Sequence, residues 1–265
     1  MITAGIDIGS RTTKAVLLNQ KNILARQLEL TTWARADQAR KLLDQLIAQS
    51  GLERAQVGAV WVTGYGRVSA PFADGQATEI TCHAKGAYFL DPTISTVIDV
   101  GGQDSKVIRL EAGQISDFRM NDRCAAGTGK FLEELSQTLG LELEEFVRRG
   151  QQARQAAKIS SMCTVFAESE AIGLLAEGVP LEDVILGLHR SIAGRLCDLV
   201  RAVGVEPKVA FSGGGAKNAV LRRELEVLLQ QPIQALDDPE YTGALGAALL
   251  AREKDEKSCV WAKHF

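Results

Sequence analysis

Two short segments of the chain align without a gap: GIDIGSRTTKAVLL, from Gly5 to Leu18, and VIDVGGQDSKVIRL, from Val97 to Leu110. Both read I-D-x-G-x(4)-K-x(3)-L, about 92 residues apart. Each is an apolar strand ending on an aspartate, then a turn of small residues, then a second strand. That pattern predicts a hairpin whose tip presents backbone N–H groups and hydroxyls beside a carboxylate. One such turn is a common accident. Two in register imply an internally duplicated architecture, within a chain of 265 residues, long enough for one large domain or two modest ones.

The segments after each hairpin support the duplication. A further alternating run follows each, Asn22–Leu30 and Gly113–Asn121. Helical periodicity then appears at Ala34–Gln49 in the first half, and at Lys130–Leu139 and Glu142–Gly150 in the second. VGAVWVTGYG, from Val57 to Gly66, reads as a buried strand entering a glycine turn, and TEITCHAKGAYFL as a helix. Phe166–Glu177 and Leu181–Val203 are long helices. KVAFSGGGAKN, from Lys208 to Asn218, reads as a strand, a triple-glycine turn and the start of a helix. A strand near Ile233 and a small-residue helix, Thr242–Leu250, complete the pattern, and the charged tail beyond reads as a frayed end. Mixed sheets with crossover helices, duplicated, predict an α/β fold with a cleft between two lobes, 1–92 and 93–265, with the C-terminal helix free to pack back on the first lobe.

Three glycine turns at strand ends carry the chemistry. The first offers Gly9, Ser10, Arg11, Thr12, Thr13 and Lys14 beside Asp7; the second offers Gly101, Gly102, Gln103, Asp104 and Ser105 beside Asp99. The third, Gly213, Gly214 and Gly215 with Lys217 and Asn218, leads toward a helix whose free N–H groups favour anions. Asp7 and Asp99 suit Mg²⁺ held through water, because magnesium keeps most of its hydration shell. Gln103 or Asp104 is placed to orient a water for in-line attack on a γ-phosphate. In order and spacing these pieces resemble the ATPase superfamily of actin, Hsp70 and the sugar kinases. The resemblance implies a duplicated ribonuclease-H-like fold, two lobes around a nucleotide cleft, and ATP/ADP with Mg²⁺ as ligands.

A third feature is the stretch RCAAGTGKF, from Arg123 to Phe131, which resembles a phosphate loop but has Cys124 in place of the first glycine and Phe131 in place of the magnesium-binding hydroxyl. Cys124 follows a strand and precedes a helix, and Cys163 also opens a helix, with Ser160 and Ser161 before it as N-cap candidates. A helix N-terminus favours a thiolate and an anionic iron–sulfur cluster. A 4Fe–4S cluster takes about four cysteine ligands; two per chain are half a set, which a two-fold dimer would complete. Spacing alone does not distinguish ligands from small buried thiols.

NDRCAAGTGKFLE and SSMCTVFAESE, taken with DVGGQDSK, resemble the activator component of 2-hydroxyacyl-CoA dehydratases, a family of ATPases that includes subunits of benzoyl-CoA reductase. The resemblance implies a homodimer with one 4Fe–4S cluster at the subunit interface, two cysteines from each chain, matched here to Cys124 and Cys163. It further implies a reduced ferredoxin or flavodoxin as donor, and as acceptor an iron–sulfur partner of the dehydratase type or a double-cubane reductase. The CAAGTGK glycines would then let the backbone approach the cluster. Cys82, Cys197 and Cys259 match no ligand motif and read as structural, and His83, His189 and His264 as solvated or hydrogen-bonded.

A formal charge of −3 excludes a basic nucleic-acid footprint. No window reaches the ~20 apolar residues of a membrane span, the N-terminus lacks a signal pattern, and five cysteines without a C-x-x-C pair fit a reducing, cytoplasmic setting. Two other classes fit the nucleotide motifs: a small-molecule kinase of the sugar-kinase branch, and a nucleotide-dependent scaffold of the actin type.

Overall fold

The structure is a computed structural model, and it describes residues 1–20, 22–160 and 163–262, with side chains to Lys254. In chain order the first elements are β1 (Ile2–Ile8), β2 (Thr12–Leu18), β3 (Ile23–Leu30), α1 (Arg35–Gln49), β4 (Val57–Thr63), β5 (Gly75–Gln76) and α2 (Glu79–Leu90). Then come β6 (Thr96–Val100), β7 (Ser105–Glu111), β8 (Gln114–Asn121), α3 (Gly129–Thr138), α4 (Leu143–Gly150), α5 (Thr164–Ala176) and α6 (Leu181–Val203). The chain closes with β9 (Val209–Ser212), α7 (Ala219–Leu229), β10 (Ile233–Ala235) and α8 (Thr242–Ala262).

The duplication is explicit in the sheets. One runs β3-β2-β1-β4-β5 and the other β8-β7-β6-β9-β10, two five-stranded sheets of the same order. In each, the repeated motif is the antiparallel hairpin, and the first hairpin strand pairs in parallel with the strand that returns after a crossover. By contacts the chain forms two compact units: Met1–Thr93 with Ala112–Ile115 and the segment from Glu240, and Ile94–Glu111 with Ser116–Pro239.

In the first unit the alternation of β1 and β2 decides what covers each face. Ala4, Ile6, Ile8, Ala15 and Leu17 pack on Leu42, Leu43, Leu46 and Ile47 of α1. On the other face Val16 and Leu18 pack on Ala244, Leu245, Ala248 and Leu249 of α8. That helix lies so close that a Cβ on Gly5 would sit 1.9 Å from the Ala244 carbonyl oxygen, and one on Gly246 would sit 1.8 Å from that of Cys82. The small-residue run of α8 is therefore a packing device against β1 and α2. The helix also continues past Leu250, where sequence reading expected a frayed tail. Its charged residues are used: Glu253 pairs with Lys85 at 2.9 Å and Lys254 lies over the Trp61 ring.

In the second unit Ile98, Val100, Val107 and Phe211 of the sheet share a core with Phe131 and Leu135 of α3, Phe146 of α4, and Ile192 and Leu196 of α6. Cys82 and Cys197 are fully buried; burial pushes their thiols up to about 12 and about 11, so both stay protonated and structural. Among the described residues no helix is long and apolar enough to cross a membrane. Ser161, an N-cap candidate, and His264 lie outside the described residues, and for Cys259 only the backbone is described.

Candidate functional site

In both hairpins the motif aspartate and the motif lysine are cross-strand partners, Asp7 with Lys14 and Asp99 with Lys106. This is why a lysine recurs at a fixed distance after the aspartate. Lys14 Nζ lies 3.1 Å from Asp7 Oδ2. Lys106 Nζ lies 3.5 Å from Asp99 Oδ2 and 2.7 Å from Asp104 Oδ2, with Lys106 and Asp99 both almost wholly buried. Each turn thus carries a carboxylate at least partly neutralised by its own cation. That keeps the site tolerant of an incoming anion while the lysine stays in place to meet it.

In the first unit the turn closes through Gly9 N–H to the Thr12 carbonyl at 3.1 Å. Thr13 is fully buried and its hydroxyl is bonded to that of Thr31, 3.0 Å away, which also donates to the Gly9 carbonyl. Thr13 therefore shapes the turn rather than facing its tip, whereas Ser10 and Arg11 remain on the open side. Gly64, at the end of β4 with φ 88°, approaches so closely that a Cβ there would be 2.5 Å from Asp7 Oδ1. Gly243 at the start of α8 would meet His83 Nε2 at 2.9 Å and Asp7 Oδ2 at 3.4 Å. Gly64, His83 and Gly243 are thus part of the Asp7 surroundings, and sequence reading missed them. VTGYG was visible as a glycine turn, but nothing linked it to Asp7. His83 is buried, which excludes the solvated reading.

In the second unit Asp99 Oδ1 accepts the Ser212 hydroxyl at 2.8 Å. A Cβ on Gly213 would lie 2.5 Å from the Val100 carbonyl oxygen and 2.7 Å from Asp99 Oδ1, and one on Gly215 would lie 2.6 Å from Val100 Cβ. These two glycines let the end of β9 wrap the tip of β6; Gly214 alone faces open space. The triple glycine does not run directly into α7. A short 3-10 turn, Gly214–Lys217, intervenes, and Asn218 caps α7 through its side chain. The free N–H groups of the helix therefore lie at Asn218, not at the glycines.

Asn218 is committed twice. Its Oδ1 accepts Leu221 N–H at 3.0 Å and its Nδ2 donates to His189 Nε2 at 3.0 Å, while His189 Nδ1–H donates to the Ile185 carbonyl at 2.8 Å. One neutral tautomer satisfies the whole chain of bonds. Burial pushes His189 down to about 4 from an ordinary 6.5. The unfolded chain therefore takes up a proton below 6.5 that the folded ring refuses until about 4. The stabilisation is complete above pH 6.5 and is lost as pH falls toward 4, a total of about 3 kcal/mol. Urea unfolding across this range should show a slope that His189→Gln flattens; an unchanged slope in the variant would contradict the assignment.

The loop carrying Cys124 joins the second hairpin directly. Gly129 N–H donates to the Gly101 carbonyl at 2.9 Å and Lys130 N–H to that of Gly102 at 2.8 Å, so the first turn of α3 is bonded to the Asp99 turn. A Cβ on Gly129 would lie 3.0 Å from the Gly101 oxygen. In the CAAGTGK segment, Gly129 serves the approach of α3 to the hairpin, and Gly127 a turn with φ 98°. Asn121 Nδ2 bonds the Cys124 and Ala126 carbonyls at 2.9 and 2.8 Å. Thr128, not Cys124, occupies the N-cap position of α3. Cys163 is itself the N-cap residue of α5, while Ser160 bonds Glu170 instead of capping. Cys124 and Cys163 are both free and exposed, on loops that feed two helices packed against each other. Among the described residues no group of three or more His, Cys, Asp or Glu side chains gathers as a metal site.

Of the two candidates for orienting water, Asp104 is paired with Lys106, with its Oδ1 beside Gly101, whereas Gln103 is exposed at the tip.

An activator of lactoyl-CoA dehydratase from Anaerotignum propionicum is 46% identical over 260 residues, 97% of this chain and 100% of that protein. The crystal structure of (R)-2-hydroxyglutaryl-CoA dehydratase component A from Acidaminococcus fermentans superposes with a TM-score of 0.92 at 39% identity, covering 96% of this chain and 98% of that one. The activator of 2-hydroxyisocaproyl-CoA dehydratase from Clostridium difficile, with ADPNP bound, superposes at 0.91 and 39% identity, covering 97% of each chain. With the duplicated sheets and paired Asp–Lys hairpins, and with a family model matched over residues 4–251, the chain belongs to the BadF/BadG/BcrA/BcrD ATPase family.

Proposed function

We propose that the protein is an ATP-hydrolysing activator that passes single low-potential electrons to an iron–sulfur partner enzyme of the 2-hydroxyacyl-CoA dehydratase type. One observation carries this reading: two exposed free thiols, Cys124 and Cys163, on loops of packed helices, one helix being bonded end-on to a phosphate hairpin. The dehydratase activators named among the relatives supply the partner class.

Two thiolates are half of what one 4Fe–4S cluster takes. The other half comes from a second copy of the chain, making a homodimer with one shared cluster. The exposed face of α5 supports that dimer: Val165 and Phe166, beside Cys163, are 65% and 66% exposed, and Ile172 is half exposed. Apolar side chains so placed on one helix mark an interface. When bound, the cluster supplies a reversible one-electron couple, filled by a reduced ferredoxin or flavodoxin in the cytoplasm.

The remaining steps belong to the chain's own residues. The Gly9 and Gly101 N–H groups close their turns, and the remaining N–H groups at the tips around Ser10 and Gly102, with Lys14, meet nucleotide phosphates. Asp7 and Asp99 hold Mg²⁺ through water, Gln103 orients the attacking water, and Gly213, Gly214 and Lys217 take the adenosine end. Because α3 is bonded to the Gly101–Gly102 turn, a change of that turn on hydrolysis moves the Cys124 loop. ATP can bias this arrangement only by its differential affinity for the two states.

The test is anaerobic. Reduced protein mixed with ATP, Mg²⁺ and a 2-hydroxyacyl-CoA dehydratase component should be oxidised only while ATP is hydrolysed. Colourless protein forming ADP in step with phosphorylation of a sugar would replace this reading with a kinase; filaments indifferent to cysteine loss would replace it with a scaffold.

A further inference from the structure

The second unit carries an open pocket of about 630 Å³ to which the proposed function assigns no ligand. Its walls come from Ser105 at the start of β7, Asn121 and Arg123 around the end of β8, and Arg195, Leu196 and Leu199 in the C-terminal half of α6. The volume lies within the range of small-molecule sites. By strand alternation Ser105 points to the side of the hairpin opposite Lys106, so the cavity is separate from the Asp99 carboxylate.

Two buried polar atoms at this cavity, the Ser105 hydroxyl and Nε of Arg195, have no hydrogen-bond partner among the described residues. Buried polar groups nearly always find partners, because leaving one unpaired costs its full desolvation. Neither Arg195 nor Arg123 has an ion-pair partner among the described residues. Of the two carboxylates in the lining, Asp198 is paired with Arg201 at 3.2 Å, which leaves two guanidinium groups against Asp122. Leu196, Leu199 and Met120 add apolar wall. The chemistry is that of a cationic end and an apolar body.

We propose that this cavity binds a small organic oxyanion, a carboxylate or phosphate ester with a short apolar body, its charged end taken by Arg195 and the Ser105 hydroxyl. Planar guanidinium groups meet both kinds of oxyanion with paired hydrogen bonds. The proposal does not depend on the iron–sulfur reading.

Calorimetric titration with phenyl phosphate, inorganic phosphate and butyrate, at ionic strength matched with sodium chloride, tests it. Wild type should show a saturable site for phenyl phosphate or butyrate, tighter than for inorganic phosphate. The preferred probe should bind about tenfold more weakly to Arg195→Gln, with Arg195→Lys between. Phosphate taken by the hairpins is common to all these proteins and cancels in the comparison. Equal binding to wild type and Arg195→Gln, or heat reproduced by chloride alone, would mean the cavity holds only water and would overturn the proposal. Should Arg195→Gln fail to fold by circular dichroism, Ser105→Ala takes its place: a several-fold loss supports the site, and unchanged affinity overturns it.

Discussion

Cys124→Ser and Cys163→Ser are each expected to take anaerobically prepared protein from about four irons per dimer to nearly none, with loss of its visible absorption. The chain's fold should survive. Both thiols are exposed, so replacing sulfur by oxygen opens no cavity and strands no buried group. The Cys124 loop is held through carbonyls by Asn121 and through Gly129 and Lys130 by the Asp99 turn, none of which involves sulfur. Far-ultraviolet circular dichroism should therefore match wild type while iron is lost. If the proposed dimer forms, its contact should weaken, since no cluster would then span the two copies. Cys82→Ser is the control: that side chain is buried beside Thr63 and far from solvent, so the variant should lose stability by about 1–2 kcal/mol while keeping its iron. Full iron content in either exposed-cysteine variant would exclude that residue as a ligand.

Asp99→Asn should lower ATP turnover by about 10²–10³, the usual cost of removing one preorganised electrostatic group from a reaction centre. The substitution keeps the shape and the acceptor for the Ser212 hydroxyl, and Lys106 keeps Asp104 at 2.7 Å. What disappears is the charge that would hold hydrated Mg²⁺. Asp7→Asn should behave alike, because Asp7 occupies the same place in the repeat, opposite its own lysine. Asp104→Asn is the useful contrast: its carboxylate serves Lys106, so its loss should be felt more in stability than in turnover. Steady-state ADP release with excess Mg²⁺ measures all three. Turnover unchanged in both Asp7→Asn and Asp99→Asn would remove the hairpin aspartates from the mechanism.

Much of this was legible in the sequence because the features were local and repeated. The motif of two hairpins exposed the duplication, and the structure returns it as two sheets of the same strand order. Leu181–Val203 was visible to the residue because its apolar period is uninterrupted between Pro180 and Gly204. What stayed hidden was contact between distant segments. Nothing local said that Lys106 would divide itself between Asp99 and Asp104, or that Gly243 would lie beside Asp7 and His83. Gly129 looked like part of a cysteine loop and instead seats α3 on the Gly101 carbonyl. The tail looked frayed because its charges were counted as solvated, while Lys85 and Trp61 were waiting for two of them. Nor did anything local show that the Asn218 side chain would cap α7 and bond His189.

In the proposed dimer each chain contributes two sulfurs to one inorganic centre shared across a two-fold axis. Protein purified without air, with its mass in solution measured by light scattering and its iron and acid-labile sulfide counted, tests this directly. The account predicts a dimer with about four irons and about four sulfides per two chains. A monomer that holds a complete cluster by itself, or an active dimer free of iron, would contradict it.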